Sequence, residues 1–239
     1  MTISVTPITA KQATTTSGVS AASNSFTPGA GTLVVFSATW MNFTNTTGMT
    51  FTCADSGSTA YTLLKAQQDG FGAGYSMVFA HYYASSPGAV TAHVTASNTG
   101  SADALLQPYT LTGASSSLTG ATAGNNGTTS TATCEASITP TQLGSFLFGA
   151  GNLTFTPTAV SGWTTSSSWN DASSGDASAT GVSSAGTSAL TPTTVGWTLS
   201  PSSSFGFGIA VAEILPAAAG VLAGLPRFGG QAAKRASCY

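Results

Sequence analysis

Charge is what this sequence has least of. Among 239 residues there are five Lys or Arg, seven Asp or Glu and two His. Charged residues make up 5% of the chain, against about 25% in an ordinary soluble domain. A net charge of −2 excludes a nucleic-acid protein that works by neutralising phosphates. Acid–base, metal and phosphoryl chemistry must draw on a small pool: Asp55, Asp69, Asp103, Glu135, Asp171, Asp176, Glu213, His81 and His93. Cysteine is scarce as well. Cys53, Cys134 and Cys238 are far apart, odd in number and form no C-x-x-C. They read as free thiols of a protein made in a reducing cytosol, with a Cys53–Cys134 bridge as the one pairing weighed against that. No apolar run approaches 18 residues, so no transmembrane helix is expected. The start, MTISVTPITAK, lacks the basic and apolar regions of a signal peptide. G-x-S-x-G, Walker and H-E-x-x-H motifs are missing.

What the chain does have is hydroxyl groups and apolar bulk. Ser and Thr together number 74, and hydrophobic residues make up 41%. That is too apolar for a disordered chain. Apolar residues recur with period two between Gly, Pro, Ser and Asn clusters, which is the pattern of strands and turns. Strands are expected over 3–9, 13–26, 32–42, 49–54, 59–67, 75–84, 89–97, 104–113, 128–138, 144–153, 157–163, 176–189, 193–199 and 205–215. Turns are expected at Thr27-Pro28-Gly29, Asp55-Ser56-Gly57, Asp69-Gly70, Pro87-Gly88, Asn98-Thr99-Gly100, Asn125-Asn126-Gly127 and Pro201-Ser202. About ten residues per strand predicts an all-β, jelly-roll-like, two-sheet antiparallel sandwich over 1–216. The run 164–189 reads as a surface excursion or a pair of edge strands.

The stretch FAHYYASSPGAVTAHVTA reads as a hairpin. Pairing Ala84 with Val90 sets Val78, Ala80 and Tyr82 on an apolar face against Ala96, Val94 and Ala92. It also sets His81 across from His93. Two histidines fall short of the three protein ligands of a catalytic zinc site, so no metal or other cofactor is expected. The other face, Met77, Phe79, His81 and Tyr83, is aromatic enough to suggest an oligomer interface.

Glu135 and Glu213 are the only glutamates. Glu213 follows Phe207, Ile209 and Val211 on one face of the closing strand. A carboxyl there is either a raised-pKa acid or a group just past the core's rim, and the latter is the commoner arrangement. Asp55 and Asp69 precede turn glycines and read as turn formers. Trp40 and Trp197 sit in strand patterns and are expected in the core. Trp169, Asn170 and Asp171 lie in polar surroundings and are the candidate glycan contact, by ring stacking and hydrogen bonding. No catalytic set emerges, and an enzyme is not expected.

The strings TPGAGTLVVFSATW, DSGSTAYTLL, FAHYYAS, GSFLFGAG and VGWTLSPSSSFGFGIAVAEILP resemble a β-sandwich family of tailed-phage structural proteins, over about 20–215. The resemblance implies a virion role and carries over no catalytic residues. The expected function is a capsid decoration protein on the outer particle surface, made in the host cytoplasm. A minor tail protein, a single-jelly-roll coat protein and, from another class, a carbohydrate-binding module are the alternatives. Its expected partners are the major capsid protein or other virion subunits and further copies of itself, with a trimer as candidate symmetry. Host-surface glycans are a further candidate, and neither nucleic acid nor membrane is expected. Residues 217–239 form a separate element. Pro216 ends the last strand, five Gly or Pro residues prevent a long helix, and no run there alternates cleanly enough for a core strand. Yet Val221, Leu222, Leu225, Phe228 and Tyr239 are apolar anchors, and Arg227, Lys234 and Arg235 are three of the five cations. This pattern predicts an extended arm that docks on another subunit.

Overall fold

A computed structural model describes residues 2–15, 19–42, 48–97, 102–118, 120–128, 132–154, 156–171, 176–200 and 206–218. Within them lie seventeen strands and no helix. In chain order they are β1 (Ser4–Pro7), β2 (Lys11–Thr15), β3 (Ser20–Ala22), β4 (Thr32–Asn42), β5 (Phe51–Asp55), β6 (Ala60–Gln68), β7 (Gly74–Tyr83), β8 (Ala92–Ala96) and β9 (Ala102–Thr112). The second half supplies β10 (Thr122–Gly127), β11 (Thr133–Ile138), β12 (Phe146–Thr154), β13 (Thr156–Ala159), β14 (Trp163–Asp171), β15 (Asp176–Ser183), β16 (Thr193–Ser200) and β17 (Phe207–Ile214). The all-β sandwich read from the sequence is present, and its layering includes a third sheet.

The first half forms one nine-stranded antiparallel sheet in the order β1-β9-β4-β7-β6-β5-β8-β3, with β2 also on β9. This sheet curls on itself. Its inner face buries Phe36 and Trp40 of β4, Met77 and Phe79 of β7, and Leu106 of β9 with Phe51 of β5 and Val94 of β8. Its outer face presents Leu33, Val35, Val78, Ala80, Tyr109 and Leu111 to Phe148, Ala212 and Ile214 of a five-stranded sheet, β10-β17-β12-β15-β14. The far face of that sheet packs on a three-stranded one, β11-β16-β13, through Trp163, Trp197, Ile209 and Val211. Three apolar layers thus stack through the molecule, and β4, β7, β12 and β17 are buried on both faces.

Local chemistry explains the irregularities. Pro108 sits inside β9, where it has no N–H to give. The Ile8 N–H bonds the Pro108 carbonyl at 2.9 Å, so the side of Pro108 without a donor faces the break between β1 and β2. There the buried Gln107 amide donates to the Ile8 carbonyl instead. In the five-stranded sheet Gly149 of β12 lies directly across from Gly181 of β15, and the Trp163 indole covers both. A methyl on Gly181 would lie 2.3 Å from the Trp163 indole nitrogen, so only glycine fits beneath that ring.

Three expectations are corrected. β7 and β8 are not a hairpin. The edges of β7 are taken by β4 and β6, while β8 lies between β5 and β3. Residues 84–91 carry the chain across the curl to the opposite side. Apolar alternation alone fixed faces but could not choose partners for a strand buried on both sides. Val78 and Ala80 therefore face one core, and Ala92, Val94 and Ala96 the other. Second, residues 122–127 are a strand with Asn126 opposite Gly208, not a loop ended by a turn at Asn126-Gly127. Its glycines make room for neighbours, since a methyl on Gly127 would lie 2.6 Å from the Phe207 ring. Third, of the two readings of the stretch after Trp163 the strand pair holds and the surface excursion does not, but only β14 is an edge strand, with β15 inside the sheet.

Candidate functional site

The carboxylates come first, because they are the groups most able to do chemistry. Glu213 is 2% exposed. Its Oε1 accepts from the Thr141 N–H (2.9 Å), the Gln142 N–H (3.2 Å) and the Ser145 hydroxyl (2.7 Å). Its Oε2 accepts from the Ala121 N–H (2.9 Å), the Thr141 N–H (3.0 Å) and the Thr141 hydroxyl (2.7 Å). Burial pushes this carboxyl up, but the ring of donors outweighs burial and holds it below the usual glutamate range. It is no raised-pKa acid. It ties β17 to the 139–145 loop and to the approach to β10. Glu135 lies on β11 in a different sheet, half-buried, with its backbone carbonyl accepting from Asn125.

Asp55 and Asp69 are turn formers, as their positions predict. Oδ1 of Asp55 accepts from the N–H groups of Gly57 (2.9 Å) and Thr59 (2.8 Å), closing the β5–β6 turn in which Ser58 takes a φ of 67°. Its other oxygen accepts from the Tyr83 hydroxyl, which also bonds the Tyr61 hydroxyl at 2.9 Å. Burial raises the Asp55 carboxyl and these bonds lower it further, for a net downward shift. Asp69 Oδ1 accepts from the N–H groups of Phe71 and Ala73, each at 3.0 Å. Its Oδ2 has the Asn152 amide at 3.3 Å. Here burial wins and the carboxyl is held above its usual range.

The histidines do not meet. His81 points into the curl with its ring 4.6 Å from Tyr83 and 5.6 Å from Tyr61, centroid to centroid. His93 alternates with the inward Ala92 and Val94 and so takes the outer face of β8. Among the described residues no group of three His, Cys, Asp or Glu could hold a metal. Cys53 and Cys134 are free and buried in separate cores, and burial pushes both thiols up. Cys238 lies outside the described residues.

The binding candidates separate as clearly. Met77, Phe79 and Tyr83 are covered by the chain's own curled sheet, so this face is not an oligomer interface. The aromatic alternation was real, but the strands that cover it lie far away in sequence. Trp40 and Trp197 are core residues, and Trp197 stacks edge-on to Trp163 at 5.8 Å. Trp169 is half-buried on edge strand β14, and the side chains of Asn170 and Asp171 lie outside the described residues. So do all the arm residues: Val221, Leu222, Leu225, Arg227, Phe228, Lys234, Arg235 and Tyr239.

One surface escaped the sequence reading. The Gly144 N–H bonds the Thr187 carbonyl and the Thr187 N–H the Ser145 carbonyl, each at 2.8 Å. This pairs the 139–145 loop with the 184–192 loop. Each projects a leucine, Leu143 (57% exposed) and Leu190 (49% exposed). Beside them is a pocket of about 250 Å³ floored by Leu147 and Val195, rimmed by Thr187 and Ser188, and free of charged groups. The Thr187 hydroxyl adds bonds to the Ser145 hydroxyl and the Gln142 carbonyl, each at 2.9 Å. No sequence signal could have joined these loops, because the groups that pair them are backbone amides and two of the chain's many hydroxyls. Comparison of the chain with family models, curated proteins and solved structures gives no match.

Proposed function

We propose that this chain is a structural component of a tailed-phage particle, a decoration protein that binds the outer capsid surface. The observation that carries the structural half of this reading is where the carboxylates go. Glu213, Asp55 and Asp69 each spend their oxygens on the chain's own N–H and hydroxyl groups, fixing turns and loops rather than facing a shared cleft. The virion half rests on the resemblance of the strand and turn motifs to phage β-sandwich proteins. A chain poor in charge and rich in hydroxyls, with a pocket lined by no charged residue and exposed leucines on the two loops that meet near it, suits attachment by packing and hydrogen bonding. The cationic, apolar arm supplies a second attachment.

Particle binding tests the proposal. Purified particles of a phage encoding this chain are expected to carry it in many copies. Replacing Leu143 and Leu190 by Asp, or deleting 217–239, is expected to strip it from them while the sandwich stays folded by circular dichroism. Particles that never contain the chain would overturn the reading.

A further inference from the structure

The pocket beside the paired 139–145 and 184–192 loops has a chemistry of its own. It measures about 250 Å³, and its lining holds no charged and no aromatic side chain. The floor is aliphatic, made by Leu147 and Val195, both buried. The walls carry hydroxyl residues: Ser161, Ser183, Ser184, Thr187, Ser188 and Thr193.

These walls are held from behind. The Ser145 hydroxyl donates to Oε1 of the buried Glu213 at 2.7 Å and lies 2.9 Å from the Thr187 hydroxyl. Glu213 also accepts from the Thr141 and Gln142 N–H groups, and Thr187 pairs its backbone with Gly144 and Ser145. On the other side the Ser184 N–H bonds the Gly162 carbonyl at 2.9 Å, which ties the Ser183–Ser184 wall to the Ser161–Gly162 wall. Both Glu213 oxygens accept from the chain's own donors, so its charge serves the loops and not the pocket. A mouth anchored on both sides is preformed, and a ligand need not order it.

The lining defines what fits. Ser183 Oγ accepts from the Leu147 N–H at 3.1 Å and keeps its own proton to give. The Thr193 hydroxyl donates to the Thr191 carbonyl at 3.2 Å and keeps lone pairs to accept with. A charged ligand would leave water here with no opposite charge to meet. A wholly apolar one would cover hydroxyls without replacing their bonds to water. The match is a neutral molecule with a C–H face for Leu147 and Val195 and a rim of groups that both give and accept hydrogen bonds. A pyranose ring has that form. The volume lies below the roughly 300–1,000 Å³ of drug-sized sites, which sets the size at one ring.

We propose that this pocket binds a single neutral pyranose, free or at the end of a glycan. It adjoins the start of β14, at the opposite end from Trp169, so it is a different site from the stacking candidate read in the sequence. The assignment goes beyond the decoration reading and does not rest on it. It gives the pocket to sugar and leaves Leu143, Leu190 and the arm to attach the protein.

Saturation-transfer NMR on the full-length protein is the test. The probes are methyl glucoside, methyl galactoside and methyl N-acetylglucosaminide, with glucuronate as the charged counterpart and cyclohexanol as the apolar one. At least one methyl glycoside is expected to bind with a Kd of about 1 mM, and both counterparts about tenfold more weakly or not at all. In protein with labelled leucine and valine methyls, that glycoside is expected to shift the Leu147 and Val195 signals. Ser161→Trp and Ala189→Trp fill the pocket from different walls at exposed positions, and each is expected to abolish binding with circular dichroism unchanged. No glycoside bound at about 50 mM would overturn the proposal. So would binding that leaves Leu147 and Val195 unshifted, binding lost in Trp169→Ala but kept in both filled variants, or cyclohexanol binding as tightly as the sugars. A protein that binds sugar through this pocket but is absent from particles would strike only the decoration reading.

Discussion

Replacing Glu213 by Gln changes one atom's chemistry in a cage with six donor contacts. The amide needs one oxygen position to become NH2. At Oε1 that group would face the Gln142 and Thr141 N–H groups and the Ser145 hydroxyl. At Oε2 it would face the Ala121 and Thr141 N–H groups and the Thr141 hydroxyl. A hydroxyl can turn to accept, but a backbone N–H cannot. Either orientation leaves one part-buried N–H, that of Gln142 or of Ala121, without its acceptor and removes the charge from the bonds that remain. A hydrogen bond to a charged group contributes about 1.5–3 kcal/mol, and an orphaned buried donor costs about 1–3. The expected loss is about 3 kcal/mol or more, which for a chain this long lowers Tm by roughly 6–12 °C. The acid dependence gives the sign. The folded-state pKa of Glu213 is depressed, so its contribution is complete above the unfolded glutamate value of about 4.3 and fades as pH falls through the folded value. Urea melts at pH 7 and pH 3 are the assay. The gap between wild type and Glu213→Gln should be widest at pH 7 and shrink in acid. A variant within about 0.5 kcal/mol of wild type at pH 7, or a gap that widens in acid, would refute the cage as a stabilising element.

Asp69→Asn should behave oppositely. Both backbone N–H groups bond the same oxygen, which the amide keeps, and the Asn152 amide can turn its oxygen to the new NH2, so urea melts at pH 7 should shift by less than about 1 kcal/mol. Tyr83→Phe removes the hydroxyl between Asp55 and Tyr61 and should cost about 2 kcal/mol at pH 7. It should also raise the Asp55 pKa toward its ordinary value, so this variant loses less than wild type on acidification, read from the same melts. Gly181→Ala pushes a methyl against the Trp163 indole and should cost about 1–3 kcal/mol, more than Gly149→Ala, where the nearest ring atom stands 3.2 Å away. Trp169→Ala should leave thermal stability nearly unchanged, and a glycan array with both proteins checks the carbohydrate reading directly.

How much was legible follows from how far each signal reaches. The alternation of β4 is local, so its two faces could be read: Val34, Phe36, Ala38 and Trp40 into one core, Leu33 and Val35 into another. The turn roles of Asp55 and Asp69 are local too, two to four residues from their donors. Glu213 was legible as a group at the end of an apolar face, but its partners near positions 121, 141 and 145 come from loops that only the fold brings together. The β7–β8 hairpin failed for a related reason. A Pro-Gly turn between two apolar runs is a sound hairpin signal when one face is wet. β7 has no wet face, and a strand buried on both sides gives the sequence no way to choose its neighbours.

The low charge is a consequence of this layered burial. A chain that stacks three sheets buries strand faces that in a two-layer protein would meet water. Burying charges there would cost several kcal/mol each unless they were paired. Hydroxyls and amides cost less and still need partners. The seam between the nine-stranded and five-stranded sheets shows the result. One end is apolar, with Leu33, Val78, Phe148 and Ile214. Another part is polar and buried, with Ser76, Asn152, Ser178 and Thr180. There the Ser76 hydroxyl donates to the Gly208 carbonyl and accepts from the Asn152 N–H, each at 2.8 Å, stitching β7 to β17 and β12 at once. Gly208 lets Asp69 close in, with a methyl at that position only 2.9 Å from the Asp69 nitrogen. Sliding β7 by one residue would turn the Ser76 hydroxyl to the other face and bring an apolar side chain to the Gly208 carbonyl. The hydroxyls therefore set the register between sheets that alternating leucines and valines would leave open.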